Sequence, residues 1–186
     1  MGLEAGRVLG LDVPQSGKRL LTIVETDGCA SDGIAVATNC WVGRRTMRIQ
    51  DYGKVAATFI DTIVGRAVRI GPSAQARQLA FAYAPEARSR WESQLLGYQR
   101  MPAGELLSVQ AVQLNIPIEQ ILGCAGSRVV CEICGEEIMN GREVVREEMA
   151  LCTSCAETGY YRIIADLAMP IAGPAETRAH AVPTEN

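Results

Sequence analysis

A chain of 186 residues is long enough for one ordinary core and a small satellite module. Its 48% apolar and 21% charged residues exclude a disordered or low-complexity protein, and no apolar run reaches the ~18 residues that a membrane span requires. The net charge of −3 and pI near 5.3 are unevenly spread, with 13 Lys and Arg against 11 Asp and Glu over 1–125 but 4 against 8 over 126–166.

Taken in order, the chain first places Leu3, Val8, Leu9 and Leu11 among small residues, the pattern of a helix ending near residue 11. The opening residues lack the basic-then-apolar order of a secretion signal, so the expected setting is cytoplasmic, with the seven cysteines reduced. Val13 to Gly17 is turn chemistry. RLLTIVET, from Arg19 to Thr26, reads as a central strand. A compact loop at 27–33 leads into a helix over 34–38, which Asn39 to Gly43 ends. Three more strands are expected at 46–49, 55–60 and 66–70, with turns near 51–53 and at Gly65, and short connections imply a largely antiparallel sheet. Pro72 and Ser73 stop the sheet and cap the next segment. Residues 74–99 read as helices broken near Ala84-Pro85, 103–112 as a further helix and 115–118 as extended. Helices following strands indicate an α+β layer and not alternating βαβ units.

Cys131-Glu-Ile-Cys134 and Cys152-Thr-Ser-Cys155 are two Cys-x2-Cys knuckles separated by seventeen residues. Each knuckle aims two sulfurs at one tetrahedral ion, so the spacing is that of a four-thiolate zinc site. Two disulfides would need an oxidising compartment, which nothing here suggests. The closed shell leaves no position for water or substrate, so zinc is expected to hold structure. Between the knuckles, Asn140-Gly141 sits between strand-like flanks, the sign of a tight hairpin. Ala156 to Leu167 spaces Tyr160, Ile163, Ile164 and Leu167 for one apolar helix face. Knuckle, hairpin and ligand-bearing helix give a treble-clef order, and the acidic surroundings argue against nucleic acid as a partner. The proline-containing remainder, with the single histidine His180, is expected to be a tail.

Three units result: an α+β core over 1–125, the zinc module over 126–167 and the tail over 168–186. The fold class is α+β, a mainly antiparallel sheet with helices plus a small C-terminal treble-clef zinc-binding module. Outside the zinc cysteines, two clusters could carry chemistry. Glu25-Thr-Asp27-Gly-Cys29-Ala-Ser-Asp32 gathers three acids and a thiol at a strand end, although N-capping aspartates and a buried thiol explain the same letters. Arg44, Arg45, Arg48, Lys54, Arg66 and Arg69 form a basic cluster that could hold a carboxylate or phosphate, or simply face water. The core cysteines Cys40 and Cys124 read as packing residues. Nucleotide-binding loops, a nucleophile elbow and the zinc-protease His-Glu-x-x-His are absent from the sequence, and one histidine leaves no Ser-His-Asp or Cys-His mechanism.

The run Ile23 to Asp32, then Asp51-Tyr-Gly-Lys54, then the double Cys-x2-Cys resembles the E-subunit family of formylmethanofuran dehydrogenase, over roughly residues 1–165. The resemblance implies an α+β core that dimerises, an auxiliary treble-clef zinc finger and a core cleft at Cys29 regarded as an active or metal site, with Asp51, Tyr52 and Lys54 near it. Family members usually begin with a His-x-His-x-Cys-Pro-Gly segment that feeds the cleft. This chain starts inside the helix that would follow, which implies a late start or a form lacking half of that site. The leading expectation is a zinc-binding accessory protein with a core cleft for a metal or small anionic ligand, a homodimer with a partner subunit as a further candidate. Cys29, Asp27 and Lys54 are the catalytic candidates; Asp32, Asp51, Tyr52, Arg44 and Arg48 are the ligand-binding candidates. A second metal in the core is carried alongside the structural zinc. The rivals are a metal-dependent enzyme acting on a one-carbon or pterin-type substrate at Cys29, and a zinc-finger regulatory or protein-interaction module.

Overall fold

The computed structural model describes residues 1–123 and 125–165, so Cys124, Leu167, the expected tail and His180 lie outside the described residues. The chain divides into two compact units, Met1–Ala125 and Gly126–Asn186.

The first unit is a five-stranded sheet with helices on both faces. Its elements are α1 (Gly2–Leu9), β1 (Leu20–Val24), α2 (Cys29–Thr38), β2 (Met47–Ile49), β3 (Ala57–Asp61), β4 (Ala67–Pro72), α3 (Ala76–Tyr83), α4 (Arg90–Arg100), α5 (Ala103–Leu106), β5 (Leu107–Val112) and α6 (Ile118–Leu122). The strand order is β2-β1-β3-β4-β5. Every pairing is antiparallel except β1 with β2, which α2 joins as a parallel crossover. The expectation of no βαβ unit is therefore corrected at this one place. The small residues of α2 let it lie flat against the strands it connects, burying Ile34 and Ala35.

Strand alternation assigns side chains to two cores. Leu20, Val24, Phe59, Val68 and Ile70 meet Ala5 and Leu9 of α1 and Ile34 of α2 on one face. Leu21, Ile60 and Ala67 meet Ile118, Ile121 and Leu122 of α6 on the other. α6 is only five residues long, so among the described residues of this unit it covers the second face around Leu21, Ile60 and Ala67. Ile23, Thr58 and Arg69 continue the same frame beyond the buried trio, by the registers Ile23↔Thr58 and Thr58↔Arg69.

β5 corrects the helix expected over 103–112. One helical turn forms at 103–106, after which Leu107-Ser-Val-Gln-Ala-Val112 pairs with all six residues of β4, Pro72 included. The open edge of β4 offers a full ladder to a segment rich in small and β-branched residues, and that tertiary partner outweighs local helix preference. Pro72 lies inside β4, and the Ser73 hydroxyl donates to the Glu105 carbonyl at 2.5 Å instead of capping α3. Between β4 and β5, α3 and α4 pack against each other so closely that a Cβ on Gly97 would lie 2.5 Å from the Ala80 carbonyl oxygen.

At one end of β1 and β3, Arg19 forks onto Asp61, Nε to Oδ1 at 3.0 Å and Nη2 to Oδ2 at 2.7 Å. Asp61 is 1% exposed and also accepts the Ile63 N–H, and the Arg19 guanidinium holds its carboxyl below the ordinary 3.8. A depressed carboxyl contributes stability that is present above its unfolded pKa and lost as pH falls through the folded value. Stability of this unit should therefore drop as pH falls below about 4. Asp61→Asn should cost about 1–3 kcal/mol at neutral pH and flatten that acid dependence. Urea unfolding followed by the fluorescence of Trp41 and Trp91, both in this unit, measures both effects.

Candidate functional sites

The second unit contains two hairpins, β6 (Arg128–Val130) with β7 (Glu137–Met139) and β8 (Val144–Arg146) with β9 (Met149–Leu151), followed by the single turn α7 (Thr153–Ala156). The Asn140-Gly141 pair does adopt left-handed φ of 66° at both residues, but its flanking strands are not partners. The first knuckle is itself the turn between β6 and β7, closed by Cys131 N–H to Glu136 O at 2.9 Å and Gly135 N–H to Cys131 O at 2.8 Å. Glu147 and Glu148, both at positive φ, turn β8 into β9. The helix expected over 156–167 reduces to α7; Glu157 is extended, and Tyr160, Ile163 and Ile164 are 99%, 72% and 88% exposed. Without a partner surface, their spacing gives the backbone nothing to fold against.

All four knuckle sulfurs lie within 4.8 Å of one another, and Cys134 Sγ is 4.0 Å from Cys152 Sγ. A tetrahedral ion with sulfurs at about 2.3 Å sets them about 3.8 Å apart, so the cluster is already near the required size. The sulfurs are not equivalent. Backbone N–H groups of Cys134 and Cys152 lower the Cys131 thiol to about 6, the Cys152 N–H reaching its sulfur at 3.3 Å. The Cys152 thiol pushes its neighbour Cys155 up to about 12. Four thiolates cannot coexist here by themselves, and a soft divalent cation removes that conflict. Among the described residues this is the only such cluster of three or more His, Cys, Asp or Glu. The buried core beneath it is Cys131, Ile138, Leu151 and Ala156, too small to fold a module alone.

In the first unit the sequence-derived candidates fall in different places. Cys29 opens α2 after Gly28, whose φ is 88°, and is exposed in a shallow recess with Met1 and Leu3. Asp27 and Asp32 line a separate hollow with Trp41 and Met47. Neither aspartate caps α2, whose N-cap is Gly28 with no side-chain hydrogen bond. Asp51 accepts the Gly53 N–H at 2.9 Å, an Asx turn that shapes its own loop. The arginines strap the chain together: Arg44 donates to the Ser16 carbonyl at 2.8 Å, Arg45 to Leu122, Arg48 to Ile121 at 3.3 Å and Arg66 to Val8. Cys40 is buried, 3.4 Å from the Leu20 carbonyl, as a packing residue.

Tyr52 and Lys54 belong to a third place, the second face of the sheet. Their N–H groups both donate to the Glu25 carbonyl, at 2.9 and 3.1 Å, and Lys54 Nζ lies 5.8 Å from the Tyr52 ring centroid. The Glu25 carboxylate takes a fork from Arg69, Nε to Oε1 at 2.6 Å and Nη2 to Oε2 at 2.7 Å. Arg69 thereby holds the Glu25 carboxyl below its usual 4.5, against a burial that leaves the residue 7% exposed. Glu25 and Tyr52 line a cavity of about 390 Å³ whose floor includes Ile23, Thr58 and Val112 and whose other wall comes from residues 113–121. Sequence reasoning places Glu25 and Arg69 in separate clusters and misses their pairing. The signal for it lies in the strand alternation, which puts Glu25 in frame with Leu21 and Ile23, and Arg69 in frame with Ala67.

Comparison with known proteins fits this division. The family model described as FmdE, Molybdenum formylmethanofuran dehydrogenase operon, matches residues 1–108. The model of the prokaryotic dksA/traR C4-type zinc finger matches residues 125–161. A protein of Archaeoglobus fulgidus named as a probable S-adenosyl-L-methionine-binding protein is 28% identical over 167 residues, covering 80% of this chain and 43% of that relative, so the chain spans less than half of the relative's length. The crystal structure of an FmdE-like protein of the tungsten formylmethanofuran dehydrogenase type, from Syntrophus aciditrophicus, superposes with a TM-score of 0.48 at 20% identity, covering 86% of this chain and 92% of that one. The four-cysteine cluster is a structural zinc site.

Removing that zinc should unfold the second unit alone, because metal binding is the folding energy of so small a module. Cys131→Ser, or chelation of the full chain, is expected to abolish the dispersed amide signals of residues 128–156 while Trp41 and Trp91 melt as before. An unchanged spectrum with zinc still bound one per chain would contradict the assignment.

Proposed function

Because the chain belongs to the FmdE family, whose model spans residues 1–108, we propose that it is a zinc-stapled accessory protein whose first unit binds a small ligand in the cleft on the second face of its sheet. The observation that carries the reading is the Glu25 carboxylate, gripped by Arg69 in the wall of a cavity of about 390 Å³ with Tyr52. Apolar hollows holding a few fixed polar groups are the usual form of small-molecule sites. The closed four-sulfur shell, with no open coordination position, leaves the zinc unit as a staple and docking surface. A homodimer in a reducing, cytoplasmic setting completes the reading, as the family resemblance implies and as thiolates reserved for a metal require.

Chemistry at Cys29 is the rival. It draws less support, since Cys29 is exposed in a recess apart from the hollow that holds Asp27 and Asp32. The name of the Archaeoglobus relative supplies the first ligand to try, S-adenosyl-L-methionine. With zinc-loaded chain, calorimetry is expected to find one small ligand per chain at micromolar affinity. Ile116→Arg, which fills the cleft from an exposed loop position, should abolish binding and leave zinc content and melting unchanged. Binding that survives Ile116→Arg but is lost in Cys29→Ser would favour the rival.

A further inference from the structure

Granting the cleft as the binding place, its unspent polar groups decide what kind of molecule fits. Arg69 occupies one lone pair on each Glu25 oxygen, and an ionised carboxylate offers about four. Glu25 therefore faces the cavity as an acceptor only, and whatever lies against it must present N–H or O–H groups. Around it, the side chains of Gln50, Gln113, Asn115, Thr58 and Tyr52 make no hydrogen bond among the described residues, although all five line the same cavity. Three amides can both donate and accept, which suits the alternating edge of a nitrogen heterocycle, as when Asn or Gln reads a base edge bidentately. Leu114, Ile116 and Ile121 supply apolar wall for the faces of a flat ring, and Tyr52, 61% exposed, brings an aromatic ring to the same wall with the Lys54 ammonium 5.8 Å from its centroid.

Other ligand classes leave something unmatched. Among the described residues no Lys or Arg lines the cavity, Arg69 is committed to Glu25, and Lys54, 5.8 Å from the Tyr52 ring centroid, adds its charge to the same carboxylate, so a phosphate or dicarboxylate would meet the Glu25 carboxylate with no lining cation of its own. Glu25 is the only acidic residue of the described lining and neither Cys nor His accompanies it, which is no ligand set for a metal. A purely aliphatic guest would leave the Glu25 carboxylate, on a residue 7% exposed, without a partner on its cavity side.

From these groups we infer that the cleft receives a planar, amino-bearing nitrogen heterocycle of nucleobase or nucleoside type, unphosphorylated, with donors on Glu25 and its ring edge on Gln113 and Asn115. The test is a titration of the zinc-loaded full chain, followed by amide NMR and calorimetry, with adenosine, guanosine, adenosine monophosphate, succinate and methionine. A nucleoside should shift the amides of Ile23, Thr58 and Val112, and the monophosphate should bind no more tightly than its nucleoside. Gln113→Ala with Asn115→Ala, both at loop positions, should weaken nucleoside binding at least tenfold without changing the melting temperature, on the scale of about 1–3 kcal/mol for a good bidentate pair. Cleft shifts with succinate or methionine but with neither nucleoside would overturn the ligand class and leave the cleft standing. Silence of those amides toward every compound would overturn both. A monophosphate bound tenfold more tightly than adenosine would overturn the unphosphorylated form, and unchanged affinity in the double variant would overturn the role of the two amides.

Discussion

The bonds of one residue, Glu25, organise the first unit. Its N–H donates to the Ala56 carbonyl at 2.9 Å, its carbonyl receives both Tyr52 and Lys54, and its carboxylate is forked by Arg69 from β4 across the intervening strand β3. The sheet and the 50–56 loop are thus tied to the main chain of one residue, 7% exposed, whose side chain meets Arg69 at the wall of the cavity. A buried ion pair is a poor device for stability alone, since apolar residues of the same volume often do as well or better. Removing one partner is another matter, because it leaves an uncompensated charge in low dielectric and costs about 3–5 kcal/mol where burial is complete. With Arg69 still 31% exposed, the cost here lies toward the lower end. The place of the pair in the cavity wall gives it a use that its contribution to folding does not.

The second unit rests on a different constraint. Its buried residues are too few to offset the entropy of ordering its two hairpins and their connections, so the metal must provide the difference. The same closed tetrahedron that supplies this energy removes the zinc from chemistry, since no coordination position remains for substrate. The zinc therefore serves structure, and the proposed ligand site falls to the first unit. The second unit is acidic, with 4 basic residues against 8 acidic ones over 126–166.

Much of this is legible in the sequence because its signals are local. Two Cys-x2-Cys knuckles fix the metal cluster by spacing alone, and RLLTIVET fixes the central strand by composition. The features that escape depend on partners far along the chain. Leu107 to Val112 has no strong local preference until β4 offers an edge, and Ile163 and Ile164 have helical spacing with no surface to pack on. The acids around Cys29 look like one site because they are adjacent in sequence. At the start of α2, however, the backbone sends Cys29 to one side of the helix and Asp27 and Asp32 toward another hollow. The converse holds for Glu25 and Arg69, 44 residues apart, which only the register of three strands brings together.

The central claim, that Glu25 and Arg69 act as one unit holding the cleft, is tested most directly by a double-mutant cycle of Glu25→Gln and Arg69→Met. Stability and ligand affinity would both be read on the zinc-loaded chain. The account predicts that each single substitution destabilises the first unit more than the double does, with a coupling of about 1–3 kcal/mol and affinity lost in all three variants. Effects that add to within about 0.5 kcal/mol, with affinity retained when Glu25 is replaced, would contradict it.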